Sequence, residues 1–299
     1  MSYVKKFSKV IGLTVITAMV GAVAVGCSGD QSQSNSGGDS TSGLSGTIQV
    51  RGSDTLVNLS QAFAEDFMDK YPNVSIAVTG GGSGTGISAL INGTADLANS
   101  SRDIKDNEIN DIKEKTGKDV VEYDIALDGI GFIVHKDNPV KELTMEQLKG
   151  IYTGKVTNWS ELGGPDQTIV PLARETSSGT HVFVKEFVLD NEEYRPDALL
   201  QTSSATIAKE IETNTGAIGY VGMGYLTDKV QTIAVKKDDN SPAVLPSDNA
   251  VKDGSYPVSR PLHVYSAGEP EGVAKAFVEF MLSPEGQKIV GEMEFVPVK

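Results

Sequence analysis

Beyond residue 46 the chain is a succession of short apolar runs separated by clusters of serine, threonine and glycine. Thr47-Ile48-Gln49-Val50 alternates with period two, which predicts a strand, and it runs into the polar loop Arg51-Gly52-Ser53-Asp54-Thr55-Leu56. From Val57 onward Leu59, Phe63, Phe67 and Met68 recur at helical spacing, so that loop joins a strand to a helix start. The unit then repeats. Val74 to Val78 reads as a strand, Thr79 to Gly86 as a glycine-rich loop, and Ile87 to Ile91 as the start of a helix. A third strand, Asp96-Leu97-Ala98, ends in Asn99-Ser100-Ser101-Arg102 before a polar helix over Asp106 to Lys115. Three such junctions in a row predict an α/β fold with a mostly parallel sheet, and ligands in such sheets bind at the carboxyl ends of strands.

A second unit opens near Ile125. Ile130 to Val134 reads as a strand, Asn138-Pro139 as a turn, and Thr144 to Leu148 as a short helix capped by its threonine. Gly154 to Pro165 holds the only tryptophan, Trp159, and Ile169 to Leu172 is a strand leading into a second hydroxyl-rich loop and its helix. A helix over Ala205 to Ile211 and a buried strand over Ala217 to Val221 follow. Arg260 to Tyr265 returns the chain to the first unit, and helices over Gly272 to Leu282 and Ser283 to Val290 close it. The expected organisation is domain I from 47–125 and 260–299, with domain II, 126–259, inserted and the two crossing segments serving as hinges.

The N-terminus changes the picture of where this body works. Lys5, Lys6 and Lys9 precede the apolar run Val10 to Val25, the pattern of an export signal over residues 1–26 and too short for a confident membrane span. Val23-Ala24-Val25-Gly26-Cys27 resembles a bacterial lipoprotein cleavage box, and Cys27 is the single cysteine of the chain, so it is expected to carry a lipid anchor. Residues 27–46 form a polar tether; its last nineteen residues, 28–46, have a root-mean-square span of roughly 25 Å. The formal net charge is −14, and −17 once the three lysines of the signal are gone. So acidic a chain argues against nucleic acid as a partner. An anionic ligand would have to be held by short, aimed hydrogen bonds.

Ala173-Arg174-Glu175-Thr176-Ser177-Ser178-Gly179-Thr180-His181 is written like such an anion site. Ser178 and Thr180 suit a helix N-cap, the first turn of the helix offers unpartnered N–H groups, and Arg174 adds a planar fork for two oxygens. Other chemistries fit poorly. Gly80 to Gly86 lacks the lysine of a nucleotide P-loop, and Gly84-Thr85-Gly86 with Ala89 matches a dinucleotide fingerprint only loosely. Ser83 is not in a nucleophile elbow, and His135, His181 and His263 have no catalytic or zinc spacing. No enzyme activity, metal or cofactor is expected.

Six stretches, in this order and at these spacings, resemble the substrate-binding lipoproteins of bacterial ABC-type phosphate transporters. They are Gly52 to Leu56, Gly80 to Gly86, Asp96 to Arg102, Tyr152 to Lys155 with Trp159, Arg174 with Ser178 to Thr180, and Gly216 to Val221. The resemblance implies a two-domain, type II-like periplasmic binding-protein fold, each domain a mixed, mostly parallel sheet flanked by helices and joined by a two-segment hinge. It also implies a monomer that binds inorganic phosphate outside the cytoplasmic membrane and delivers it to a permease. By the same resemblance Thr55, the Leu56 amide, Ser83, Arg174, Ser178, Gly179 and Thr180 hold the anion, with Ser53 in addition and Arg102 as a second cationic contact. Well-known members place a carboxylate near the end of the third strand to accept the proton of hydrogen phosphate. Ser101 occupies that place here, with Asp54, Asp103 or Glu175 as substitutes. The alternatives are another tetrahedral oxyanion, sulfate or molybdate, and an exported phosphate sensor or adhesin of the same fold.

Overall fold

In a computed structural model of the chain, which describes residues 43–299, the period-two run near the start becomes β1 (Gly46–Gly52). A 3-10 turn over Asp54–Leu56 leads into α1 (Val57–Lys70), then β2 (Val74–Thr79), α2 (Ser83–Ile91), β3 (Leu97–Ser100) and α3 (Asp106–Thr116). The signal segment, Cys27 and all but the end of the tether lie outside the described residues. Strands β2, β1 and β3 are parallel neighbours in that order, as three successive strand-to-helix units require. Leu59, Phe63 and Phe67 line the buried face of α1.

β4 (Val120–His135) is a single strand of 16 residues, and it organises the rest. Up to Gly129 it pairs antiparallel with β10 (Ser259–Ala267), which itself pairs with β3; from Ile130 onward it pairs with β8 (Ala217–Gly222) and then β9 (Val230–Lys236). The switch of partner at Gly129–Ile130 divides the sheet into two halves. In the second half β6 (Val170–Arg174) lies parallel between β8 and β7 (Leu199–Gln201), while the short β5 (Glu142–Thr144) runs beside β9. α4 (Met145–Thr153), α5 (Gly179–Phe183), α6 (Ser204–Ile211) and α7 (Asp248–Lys252) belong to this half, and α8 (Gly272–Met281) and α9 (Pro284–Glu292) return to the first. The fold is therefore the two-domain α/β architecture of mixed sheets and flanking helices. The expected boundary at 125/126 falls within β4, and the one at 259/260 falls at the first residue of β10.

Each half has its own aromatic anchor. Phe67 of α1 meets Phe277 and Phe280 of α8 at centroid distances of 5.3 and 5.4 Å, while Phe132, Tyr152 and Tyr220 cluster in the second half around 5.4–6.3 Å. All these rings but Phe280 are fully buried or nearly so, and each such side chain contributes about 1.5–3 kcal/mol on transfer from water. Trp159 is buried with its Nε1–H donating to the Gly216 carbonyl at 2.9 Å, which explains how a polar indole is accommodated there.

Two local expectations shift. The helix expected from Ile87 begins at Ser83, because Gly82, at φ 101°, turns the chain and lets Ser83 to Gly86 form the first turn. Gly86 is tolerated in that turn for a packing reason: a Cβ would lie 2.4 Å from the Arg51 carbonyl oxygen, so α2 approaches β1 only through glycine. The sequence pattern predicts none of β5, β7, β9 and α7; β5 and β7 are three-residue strands with too few positions to show a period.

Candidate functional site

The three parallel junctions of the first half end side by side, and each delivers a buried hydroxyl. At the end of β1, Gly52 (φ 142°) lies against the Asn99 carbonyl, where a Cβ would come within 2.1 Å, and the following Ser53 N–H donates to that same oxygen at 2.8 Å. This fixes Ser53, whose Oγ donates to Ser101 Oγ at 2.8 Å. Ser101, just past β3, donates its backbone N–H to Ser83 Oγ at 3.0 Å, and the Ser83 and Ser101 hydroxyl oxygens are 3.4 Å apart. Thr55, in the 3-10 turn before α1, pairs with Thr180 of α5 across 3.0 Å.

The opposing half contributes the start of α5. Ser178 is its N-cap, accepting from the His181 N–H at 3.4 Å, so the capping read from the sequence is present. Thr180 lies inside the first turn. Gly179 is pressed against the first half so closely that a Cβ would meet Ser83 Oγ at 2.2 Å and Ser101 Oγ at 2.7 Å. Ser53, Thr55, Ser83, Ser101, Ser178 and Thr180 are each at most 3 % exposed. One buried hydroxyl cluster therefore draws on four junctions and both halves. Beside it the halves also touch through backbone: Gly84 N–H donates to the Ser177 carbonyl at 3.0 Å, and Ser177 Oγ donates to the Gly81 carbonyl at 3.2 Å.

Three expected contacts are placed differently from the cluster. The Leu56 N–H closes the 3-10 turn on the Ser53 carbonyl at 3.1 Å. The Arg102 guanidinium forms a two-pronged pair with Glu108 at 2.7 and 2.9 Å and donates to the Asp103 carbonyl. Burial works to raise the Glu108 carboxyl, but the hydrogen bonds from Arg102 and the Lys105 backbone outweigh it and hold the group below the usual carboxylate range. Arg174, 2 % exposed, donates to Ser204 Oγ at 2.9 Å and to the Gln201 and Thr202 carbonyls, and lies 3.3 Å from Asp54 Oδ2. Asp54 in turn accepts from the Ser204 N–H at 2.8 Å, at the first turn of α6. Burial pushes the Arg174 guanidinium down and Asp54 opposes that; the 3.3 Å approach of Arg174 to Asp54 makes the pair a strut between the halves. Of the other carboxylates considered, Asp103 turns outward and Glu175 is exposed.

One buried residue that the sequence did not single out, Arg260, reaches the cluster, and a second, Asp128, anchors it. Arg260, at the start of β10, donates from Nη2 to Thr180 Oγ1 at 2.9 Å and from Nη1 to the Ser101 carbonyl at 2.7 Å. It also donates to Asp128 Oδ2 from Nε and Nη2, and Asp128 Oδ1 accepts the Met223 N–H at 2.9 Å. Burial pushes the Asp128 carboxyl up and the Arg260 guanidinium down, and each group is the other's largest opposing influence. The available signal was Asp128 itself, a lone acid between the apolar residues Ile125 to Leu127 and Ile130 to Val134, which must find a cation if it is buried.

Residues 37–285 match the PBP superfamily domain. The phosphate-binding protein PstS of Bacillus subtilis is 36% identical over 98% of this chain and 95% of its own length. The PstS of Pseudomonas aeruginosa is 33% identical over 96% and 93%. The chain belongs to the PstS phosphate-binding protein family of the PBP superfamily. A crystal structure of a phosphate ABC transporter substrate-binding protein from Clostridium perfringens, solved with bound phosphate, superposes on this PstS-family chain with a TM-score of 0.76 at 37% identity, covering 85% of this chain and 100% of that one. Among the described residues no helix is long and apolar enough to cross a membrane.

Proposed function

We propose that this PstS-family protein binds inorganic phosphate between its two halves and hands it to an ABC-type permease, without catalysing a reaction. The observation that carries the reading is the convergence of the Ser53, Thr55, Ser83, Ser101 and Thr180 hydroxyls from four chain junctions on one buried locus. A buried oxyanion needs nearly every lone pair satisfied, and neutral donors do this without adding positive charge to an acidic exterior. Hydrogen bonds to a charged ligand contribute about 1.5–3 kcal/mol each, so several exceed the roughly 8 kcal/mol of a micromolar site and leave a margin for desolvation and closure. Gly179 adds a backbone N–H group at the α5 start, while the Ser178 N–H, which donates to the Glu175 carbonyl at 2.9 Å, and Leu56 and Arg102 would have to release their present partners to join. Arg174 would act through the strut, stabilising the arrangement in which both halves donate to one anion.

The boundaries 47–125 with 260–299 and 126–259 are the two bodies that would move, hinging where β4 changes partner and where the chain enters β10. Cys27 would carry the lipid that holds the protein, as a monomer, on the extracytoplasmic face of the cell membrane. Among the described residues no carboxylate is a hydrogen-bond partner of these hydroxyls, which bears on selectivity. Asp54 and Asp128 are both committed to arginines, and Ser101 can accept the proton of hydrogen phosphate but, unlike a carboxylate, does not repel a fully ionised oxyanion such as sulfate. Isothermal titration with phosphate, arsenate, sulfate and molybdate tests the reading. Phosphate binding at micromolar affinity or tighter, one per chain, supports it, whereas binding of sulfate or molybdate without phosphate would replace it with the other-oxyanion reading.

A further inference from the structure

The register of β4 on β10 breaks once, between Leu262 and His263, where Ile125 is the extra residue of a bulge. Beyond it Asp124 stands directly opposite His263, and Glu122 opposite Tyr265. Opposed residues and those two apart share a face, so these four side chains lie on one side of the sheet. His263 is buried, its side chain 3 % exposed, and its ring stacks on Tyr265 at a centroid distance of 5.4 Å, which fixes its direction. Three carboxylates surround it. Its Nδ1–H donates to Asp124 Oδ1 at 2.7 Å, Glu122 Oε1 is 3.7 Å from the same nitrogen, and Asp103, in the loop after β3, brings Oδ1 to 3.2 Å from Nε2. Nε2 is buried and makes no hydrogen bond among the described residues. Burial, with the Glu122 and Asp103 carboxylates adding to it, pushes the neighbouring Tyr265 phenol up, as a locally negative potential requires.

We propose that Glu122, Asp124 and His263 Nδ1 form a binding site for a divalent transition-metal ion, Zn2+ by the mixture of imidazole and carboxylate donors, with Asp103 orienting the ring from its other nitrogen. Bonds of about 2.0–2.2 Å set two ligand atoms on a tetrahedral zinc about 3.3–3.5 Å apart, and the 2.7 and 3.7 Å separations at Nδ1 bracket that spacing. Glu122 and Asp124 are about half exposed, so both can adjust by the few tenths of an ångström required. With the metal on Nδ1 the ring proton sits on Nε2, and Asp103 is the carboxylate that accepts it, the usual support of a metal-bound imidazole. A dication also offsets the charge of three acids gathered around one ring. The spacing of 122, 124 and 263 along the chain gives no sign of a metal site, because these residues meet only through the pairing of β4 with β10. The site lies wholly in the first half and does not depend on the oxyanion reading.

Isothermal titration of zinc chloride into the full chain, in a buffer free of phosphate, reads the site directly. Every variant retains Cys27, so zinc held by that thiol is common to all and cancels in the comparison. The unaltered protein should bind Zn2+ with a Kd of about a micromolar or tighter, and His263→Gln should weaken that binding about thirtyfold or more. Glu122→Gln removes a ligand and Asp103→Asn the orienting carboxylate; each should cost about tenfold or more. Both of these residues are exposed, so the two variants should keep native circular dichroism even if the buried His263→Gln does not fold. Zinc affinity within about threefold of the unaltered protein in Glu122→Gln overturns the site. So does an unaltered protein that binds no zinc, in which case the acids serve only as partners of the imidazole.

Discussion

Thr55 and Thr180 are 125 positions apart in the chain, and their hydroxyl oxygens are 3.0 Å apart in the fold. One belongs to the turn that opens α1 and the other to the first turn of α5, so the pair measures how closely the two halves meet. Each threonine is about 1 % exposed, and Thr180 also takes a hydrogen bond from Arg260. An oxyanion entering here would replace hydroxyl-to-hydroxyl contacts by hydroxyl-to-anion ones, which are the stronger kind.

Thr180→Val keeps the shape of the side chain and removes the hydroxyl. Phosphate affinity should fall about tenfold or more, because one donor to the anion is lost and the Arg260 Nη2 loses one of its two acceptors. Calorimetric titration reads the affinity, and a change of less than about twofold would place Thr180 outside the site.

Gly179→Ala tests the close approach of α5 to α2. The added methyl would sit 2.2 Å from Ser83 Oγ, and the hydroxyl cannot simply step aside because Ser101 Oγ is 2.7 Å from the same point. The halves should remain individually folded but meet less closely, giving much weaker phosphate binding and a larger ligand-free radius in small-angle scattering. Tight binding with unchanged dimensions would show that the contact is not part of closure.

Arg174→Ala removes the centre of the strut and leaves Asp54 and two backbone carbonyls without their cation. The melting temperature should drop by an amount equivalent to about 1–3 kcal/mol, since Asp54 is partly accessible and water can replace some of what is lost. Affinity should weaken at least about tenfold. Asp54→Asn in the same background should add little, because the two residues act on one interaction.

His181 gives the protein a pH response of definite sign. Its Nδ1–H donates to the Arg174 carbonyl at 2.8 Å, and its ring stacks on Tyr194 at 4.4 Å. Burial, the largest influence, holds its pKa below the ordinary 6.5. The unfolded chain therefore takes up a proton first as pH falls below about 6.5, and the folded state loses stability from there downward until His181 itself titrates. Thermal melts between pH 7 and pH 5 should show a falling midpoint, and His181→Asn should flatten that slope. An unchanged slope in the variant would assign it to the carboxylates.

Much of this architecture can be read from the chain because the junction residues are local signals. Ser, Thr and Gly clusters between apolar runs mark the ends of β1, β2, β3 and β6, and Ser178 caps the helix that its position before Val182-Phe183-Val184 suggests. What escapes is whatever depends on partners distant in sequence. Arg260 opens a run, Arg260-Pro261-Leu262-His263-Val264-Tyr265, that looks like any returning strand; its carboxylate lies at Asp128 and its hydroxyl partner at Thr180. Arg174 is the converse case. Its local motif is eye-catching, yet its guanidinium is directed to Asp54 and Ser204 by contacts no local pattern encodes. The length of β4 is hidden for a similar reason, since Glu122, Tyr123 and Asp124 lie on its wet portion and only tertiary pairing with β10 reveals them as strand.

The most direct examination of the account is a crystal structure of the full chain grown with phosphate. The account predicts one tetrahedral anion per chain between the halves, its oxygens about 2.5–3.0 Å from the hydroxyls of Thr55, Ser83 and Thr180 together. Phosphate held by one half alone, or located away from these three hydroxyls, would contradict it.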